Sequence, residues 1–303
     1  MYLYLPVALT SINILIPIGL GLAVGLLSGL FGVGGGFLLT PLLIMIGIPP
    51  TVAAATDSNQ IVAASTSGTY AHWRMGNVDF KMGLYLLAGG FAGGLLGVQF
   101  IKILRLMGNA DFVIKITYVL MLGIVGTYMF IESLSSIKKK NSEEIQKETK
   151  LSNALKSLPL QTHFKKSGVT HSALLPILFG GLVGILAAIM GVGGGFLLVP
   201  VMLYVLKMPM HVVVGTSLFQ ILFLSIEVTF LQAYTNHTVD FVLAVLLLLG
   251  STIGAQIGTS LGRKLQGDQL RILLAIIVLA VTIKIVFDLT LNPELLLAQA
   301  GGH

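Results

Sequence analysis

Gly32-Val33-Gly34-Gly35-Gly36-Phe37-Leu38-Leu39-Thr40-Pro41, GVGGGFLLTP in one-letter form, lies inside an apolar sequence and returns almost unchanged as Gly191–Pro200, GVGGGFLLVP. Glycine costs about 1 kcal/mol per residue relative to alanine in a helix interior. Each cluster therefore interrupts a helix, and the duplication says that the interruption is wanted twice. The surroundings decide what kind of protein this is. Of 303 residues, 55% are hydrophobic and only 10% charged, with a mean hydropathy of +0.94, against about 25% charged residues in soluble domains. The chain reads as an integral membrane protein.

Apolar runs at Ile12–Phe31, Met82–Ile101, Phe112–Ile131, Val239–Leu261 and Leu270–Leu289 approach or exceed the roughly 20 residues that a transmembrane helix needs. Barrel-type alternation is absent, so helices do the spanning. The first run has neither a basic stretch before it nor a small-residue cleavage site after it, and its match lies in mid-chain. It reads as a retained helix and not as a signal peptide. There are no cysteines, and the net charge is +6. The basic residues sit at segment ends and in one loop, as membrane orientation requires, and no nucleic-acid partner is expected.

Outward from the glycine clusters the two halves keep matching. Ala55-Thr56 faces Gly215-Thr216, Gln60 faces Gln220, and Val78-Asp79-Phe80 faces Val239-Asp240-Phe241. Each half reads as a first helix (Ile12–Phe31; Leu174–Met190), the glycine cluster, a short apolar limb (Phe37–Gly47; Phe196–Leu206) and three longer segments. These are Thr51–Trp73, Met82–Ile101 and Phe112–Ile131, then His211–Tyr234, Val239–Leu261 and Leu270–Leu289. The expected fold is an all-α polytopic membrane protein of two homologous repeats, residues 1–132 and 171–303. The polar, lysine-rich stretch 133–170 between them reads as a solvated cytoplasmic linker, with room for a short surface helix.

Lys and Arg accumulate on the cytoplasmic side, which tests the relative orientation of the halves. If each short limb crosses, there are ten crossings in all and the repeats are inverted. Only Lys102, Arg105 and Lys115 then fall outside. With eight crossings, Lys207, Arg263, Lys264 and Arg271 join them. The inverted arrangement fits better, although a limb of eleven helical residues rises only about 16 Å, half the hydrocarbon core.

A glycine run feeding a helix also resembles a phosphate loop, but that fingerprint needs a preceding strand in a βαβ unit. In a bilayer, non-helical backbone is tolerated where protein buries it or where it lines a cavity. Paired interruptions at matching positions of two repeats point to a transporter's midplane site. Backbone N–H groups of Gly34, Gly35 and Gly36, and of Gly193, Gly194 and Gly195, would there favour an anion; the alternative is a tight interhelical turn. Downstream, Thr56-Asp57-Ser58-Asn59-Gln60 interrupts the run Val52–Thr69, and Thr216, Ser217 and Gln220 occupy the matching place. Unpaired polar groups in hydrocarbon cost several kcal/mol each, about 4–8 on a cyclohexane scale, so these side chains should face a cavity or one another. Thr56, Asn59, Gln60, Thr216, Ser217 and Gln220 are candidate ligands for an anion.

Asp57 would repel an anion unless neutral or paired, and burial favours the neutral carboxyl. Asp57, and Glu227 in the second repeat, are candidate carriers of a coupling proton, or else satisfied structural acids. Glycines four apart (Gly21, Gly25, Gly29; Gly89, Gly93, Gly97; Gly180, Gly184; Gly250, Gly254, Gly258) read as packing seams. Arg74, after His72 and Trp73, reads as a cytoplasmic anchor. No metal or cofactor is expected: His72 has no second ligand at helical spacing, and no nucleophile–base pair suggests an enzyme.

GVGGGFLLTP with Ala55-Thr56-Asp57 and His72-Trp73-Arg74-Met75-Gly76-Asn77-Val78-Asp79, and GVGGGFLLVP with Val214-Gly215-Thr216-Ser217, resemble the TauE/SafE family of sulfite and organosulfonate exporter-like permeases. The resemblance covers about residues 12–290. It implies a transporter with two related halves in the cytoplasmic membrane, associated with export of sulfite, sulfoacetate or similar small sulfur-containing anions. No ATP-binding sequence is present, so the expected energy source is a proton, sodium or substrate gradient. A passive anion channel and a non-transporting membrane scaffold are the alternatives. Membrane lipid is the remaining expected partner.

Overall fold

The computed structural model describes residues 2–31, 36–138, 160–262 and 267–291. Gly34 and Gly35, the linker stretch 139–159, and Arg263 and Lys264 lie outside the described residues. The protein is an all-α polytopic membrane protein whose helices run in the order α1 (Leu15–Phe31), α2 (Gly36–Met45), α3 (Pro50–Arg74), α4 (Phe80–Leu106), α5 (Ala110–Lys138), then α6 (Leu174–Met190), α7 (Gly195–Pro200), α8 (Met210–Leu231), α9 (Phe241–Gly262) and α10 (Gly267–Leu291). A π-helical turn extends α7 through Val201–Val205, and another extends α8 through Gln232–Asn236. Among the described residues, Phe80–Leu106, Ala110–Tyr128, Met210–Asn236 and Phe241–Gly258 are long and apolar enough to cross a membrane. The 25 residues of α3 are long enough, at about 1.5 Å each, but carry the polar string.

Two small antiparallel hairpins precede α1 and α6. They are β1 (Tyr2–Leu5) with β2 (Thr10–Asn13), and β3 (Gln161–Phe164) with β4 (Val169–Ser172). This corrects two expectations. Ile12 begins an apolar run but lies in β2, opposite Leu3, and α1 starts only at Leu15, whose N–H is taken by Asn13 Oδ1 at 3.1 Å. The end of the stretch read as linker, from Gln161, is strand. It is a docked element and not a solvated tail, because Asp79 holds its turn: Oδ2 accepts from Ser167 N at 3.0 Å and from Ser167 Oγ at 2.6 Å. Asp240 does the same for the first hairpin, accepting from Val7 N at 3.0 Å and Ala8 N at 3.3 Å. Each aspartate's other oxygen caps its own helix, Asp79 at Met82 N and Asp240 at Leu243 N, both at 3.1 Å.

The dominant helix contacts are exchanged between the halves: α1 lies along α9, and α6 along α4. Glycine makes this possible. A methyl at Gly250 or Gly254 would overlap the carbonyls of Ile18 or Leu22, and one at Gly93 or Gly184 those of Gly181 or Gly90. The backbones touch, which in lipid substitutes dispersion for the missing hydrophobic drive between helices. The pairs α3–α8 and α5–α10 complete the body. The main apolar core gathers Leu39, Leu43, Tyr118, Met190, Leu243 and Leu247.

Candidate functional site

The second glycine cluster closes α6 and opens α7 wholly inside the protein. Gly191, Gly193 and Gly194 have φ of 72°, 66° and 76°, left-handed values that a side chain disfavours by roughly 1–2 kcal/mol. Residues 191–195 are buried. The carbonyls freed at the end of a helix need partners, and side chains from other helices supply them. Ser58 Oγ donates to Gly191 O at 3.2 Å, Gln232 Nε2 to Ala188 O at 3.1 Å, and Tyr118 Oη to Met190 O. Of the first cluster, Gly36 opens α2, where a methyl would strike Ile61 and come within 3.4 Å of Asp57 Oδ2. The residues that follow the two clusters meet: the rings of Phe37 and Phe196 stack with centroids 5.9 Å apart and planes at 30°. Gly193 in turn lies against Ile61, Ile221 and Ser225. Gly36 and Gly193 therefore both border α3 at Ile61, and Gly193 also borders α8.

The polar string divides into two kinds of group. Thr56 and Thr216 are fully buried and reciprocally engaged: Thr216 Oγ1 accepts from Asp79 N at 3.0 Å and Thr56 Oγ1 from Asp240 N at 3.1 Å. Each ties α3 or α8 to the cap of the opposite half. Ser217 bonds locally, to Val214 O at 3.0 Å. The amides differ. Gln60 Oε1 and both polar atoms of Gln220 are buried without a partner, and Asn59 beside them is half-buried. Gln220 Nε2 lies 3.1 Å from where a methyl on Gly90 would sit, and Glu227 Oε2 2.9 Å from the same point on Gly94. α4 thus carries a second glycine face that makes room for the polar side chains of α8.

Asp57 is completely buried. Its Oδ2 accepts from Thr40 Oγ1 at 2.8 Å, and Oδ1 has no partner. Tyr118 is completely buried, and its hydroxyl donates to Met190 O. Glu227 is half-buried, with Oε2 unpartnered. Among the described residues the buried basic side chain is Lys115, which faces Asp288 at 3.4 Å, so neutral donors dominate the interior. Sequence reasoning missed Thr40 and Tyr118 as members of this region, and Asp79 and Asp240 as its ties; Ser58 it had placed in the polar string. For the aspartates a signal existed in the repeated Val-Asp-Phe, and for Thr40 in the Thr/Val difference between the two glycine motifs.

Long apolar helices around a buried glycine interruption and unpartnered buried polar side chains fit a polytopic membrane protein of the transporter class. The chain belongs to the sulfite exporter TauE/SafE family, whose model matches residues 17–285. It is 29% identical over 268 residues to the "Probable membrane transporter protein YjnA" of Bacillus subtilis, covering 88% of this chain and 97% of that one. It is 26% identical to the "Probable membrane transporter protein YunE" of the same organism, covering 91% and 98%. The "Sulfite exporter TauE/SafE family protein 1" of Arabidopsis thaliana matches at 31% over 103 residues, 34% of this chain and 23% of that one. No solved structure gives a significant match. These relatives carry transporter names, not enzyme names, and the chain is a membrane transporter of this family.

Proposed function

We propose that the protein is a secondary transporter, an exporter of a small sulfur-containing oxyanion such as sulfite or an organosulfonate. It works in the cytoplasmic membrane by alternating access between two inverted repeats. The observation that carries this reading is the buried, wholly unpartnered amide of Gln220 on α8, together with the unpartnered carbonyl oxygen of Gln60 on α3; their chain neighbours Ile221 and Ile61 lie against Gly193. A buried polar atom without a partner costs about 1–3 kcal/mol; a ligand that accepts from Gln220 Nε2 recovers that cost, and the hydroxyl of a protonated oxyanion would do so at Gln60 Oε1. An oxyanion suits the site, since amide and hydroxyl hydrogens and the N–H groups of Gly34–Gly36 and Gly193–Gly195 are donors. Asn59, Ser217 and the hydroxyl hydrogens of Thr56 and Thr216 complete the proposed ligand set. Asp57 and Glu227 are the proposed proton carriers, and sodium is the alternative coupling ion.

The reciprocal Thr–Asp hydrogen bonds support alternating access, because they join each central helix to the opposite half at two equivalent points. The test is export of radiolabelled sulfite and sulfoacetate from proteoliposomes. Gln60→Leu with Gln220→Leu should lower the rate at least tenfold, the loss expected when about 1.4 kcal/mol of ligand interaction disappears, in protein that still elutes as a single folded species. Asp57→Asn should keep downhill export and lose its stimulation by a proton gradient. Undiminished export by the double variant would overturn the site, and large unsaturable unitary currents would replace the transporter with a channel.

A further inference from the structure

A cavity stands away from the glycine clusters, where the β3–β4 turn meets the start of α4. It holds about 420 Å³ and is lined by Trp73, Gly76, Val78, Asp79, Phe80, Lys81, His163, Lys165 and Lys166. Three lysines face a single carboxylate, and that carboxylate is spent: Asp79 accepts from Met82 N, Ser167 N and Ser167 Oγ and is turned into the hairpin. Lys81 Nζ donates to His163 O at 3.3 Å and stands 5.7 Å over the Phe164 ring. Lys165 and Lys166 are exposed, and the Lys166 ammonium passes within 3.6 Å of where a methyl on Gly76 would sit. The rim is aromatic and open, with Trp73 at 57%, Tyr70 at 56% and Phe80 at 43% exposure. Exposed aromatic rings beside lysines mark the headgroup depth of a membrane.

The corresponding corner of the first half shows what the fold itself requires. There Asp240 holds the β1–β2 turn, but the hairpin registers place Pro6 and Val7 where Lys165 and Lys166 stand, and Val242 follows Phe241 as Lys81 follows Phe80. The docking of a hairpin on an aspartate therefore needs no lysine. Exposed aromatic rings occur at both corners, Phe241 at 73% and Tyr234 at 74% exposure in the first, so the three cations are the addition, around a cavity large enough for a phosphodiester and its glycerol.

We propose that this cavity binds the phosphodiester headgroup of an anionic phospholipid, with Lys81, Lys165 and Lys166 around the phosphate and Trp73 and Phe80 against the glycerol and upper acyl chain. The site is separate from the transport site and does not depend on it. Trp73 is the chain's single tryptophan, so its fluorescence reports this corner alone. The full-length protein in nanodiscs would be titrated with brominated phosphatidylglycerol and, separately, brominated phosphatidylcholine, which quench on contact. Phosphatidylglycerol should quench with a preference of roughly fivefold or more, the factor one lysine contributes near a charged surface. Lys81→Gln with Lys165→Gln and Lys166→Gln should abolish that preference, and three arginines should retain it. If the triple glutamine variant fails to fold, Lys165→Gln with Lys166→Gln, both in the exposed turn, should still reduce it. Equal quenching by the two lipids overturns the proposal, as does a preference that survives the glutamines. Relief of quenching by millimolar free phosphate or sulfate would assign the cavity to a soluble oxyanion and also overturn it.

Discussion

At the scale of the residue, the two halves differ where chemistry is concentrated. Asp57 and Thr40 form a buried pair, and the second half has Ser217 and Val199 in their places. The hydroxyl and the acid are exchanged together, as expected if one exists to satisfy the other. Thr40→Val alone should destabilise the protein by about 1–3 kcal/mol, because it orphans a buried acceptor. In an Asp57→Ser background the same change should cost much less, and thermal denaturation of the four proteins in one detergent measures the coupling. Asp57 was visible in the sequence as an acid inside an apolar run. Its partner was not, because a threonine among leucines at the start of another helix carries no mark of what it faces; only comparison of the glycine motifs isolates it.

At the scale of the element, backbone geometry repeats where residue identity does not. Gly76 and His237, each just before a Val-Asp-Phe or Thr-Val-Asp-Phe cap, have φ of 72° and 50°; Gly47 and Lys207, after the short limbs, have 94° and 51°. In each pair one half uses glycine and the other tolerates a side chain in the left-handed region. Relief of that strain, of order 1 kcal/mol, is partly offset by the added freedom of the unfolded chain. His237→Gly and Lys207→Gly should therefore be neutral to slightly stabilising in a melt, and Gly76→Val should destabilise by about 1–2 kcal/mol. Helix positions were legible from hydropathy, and Leu174–Met190 agrees to the residue. The hairpins were not, since four-residue strands leave no period to read and β2 merges with the apolar run of α1. The π-helical turns at Val201–Val205 and Gln232–Asn236 follow from packing and cap geometry, which hydropathy does not encode.

At the scale of the whole molecule, the small-residue seams were legible as seams, but not which helix each would meet. Spacing of four puts glycines on one face without naming the partner. The structure shows the partner in the opposite half every time: α9 for α1, α4 for α6. Gly93→Leu would drive a side chain into the Gly181 backbone, separating two helices with no small side chain to yield. Overpacking of this kind costs typically 1–3 kcal/mol and more when backbone must move. The variant should show a sharply lower yield of folded protein by fluorescence size-exclusion. Gly19→Leu, which meets nothing within 4 Å, should match the unmodified protein.

The exchange of first helices also orders the protein's biosynthesis. α1 leaves the ribosome long before α9, the helix that fits its bare glycine face. Contacts so distant in sequence form late, so a nascent chain that stops before Phe241 lacks the main partner of its own α1. Helix α1 must wait for its partner while everything between them is made.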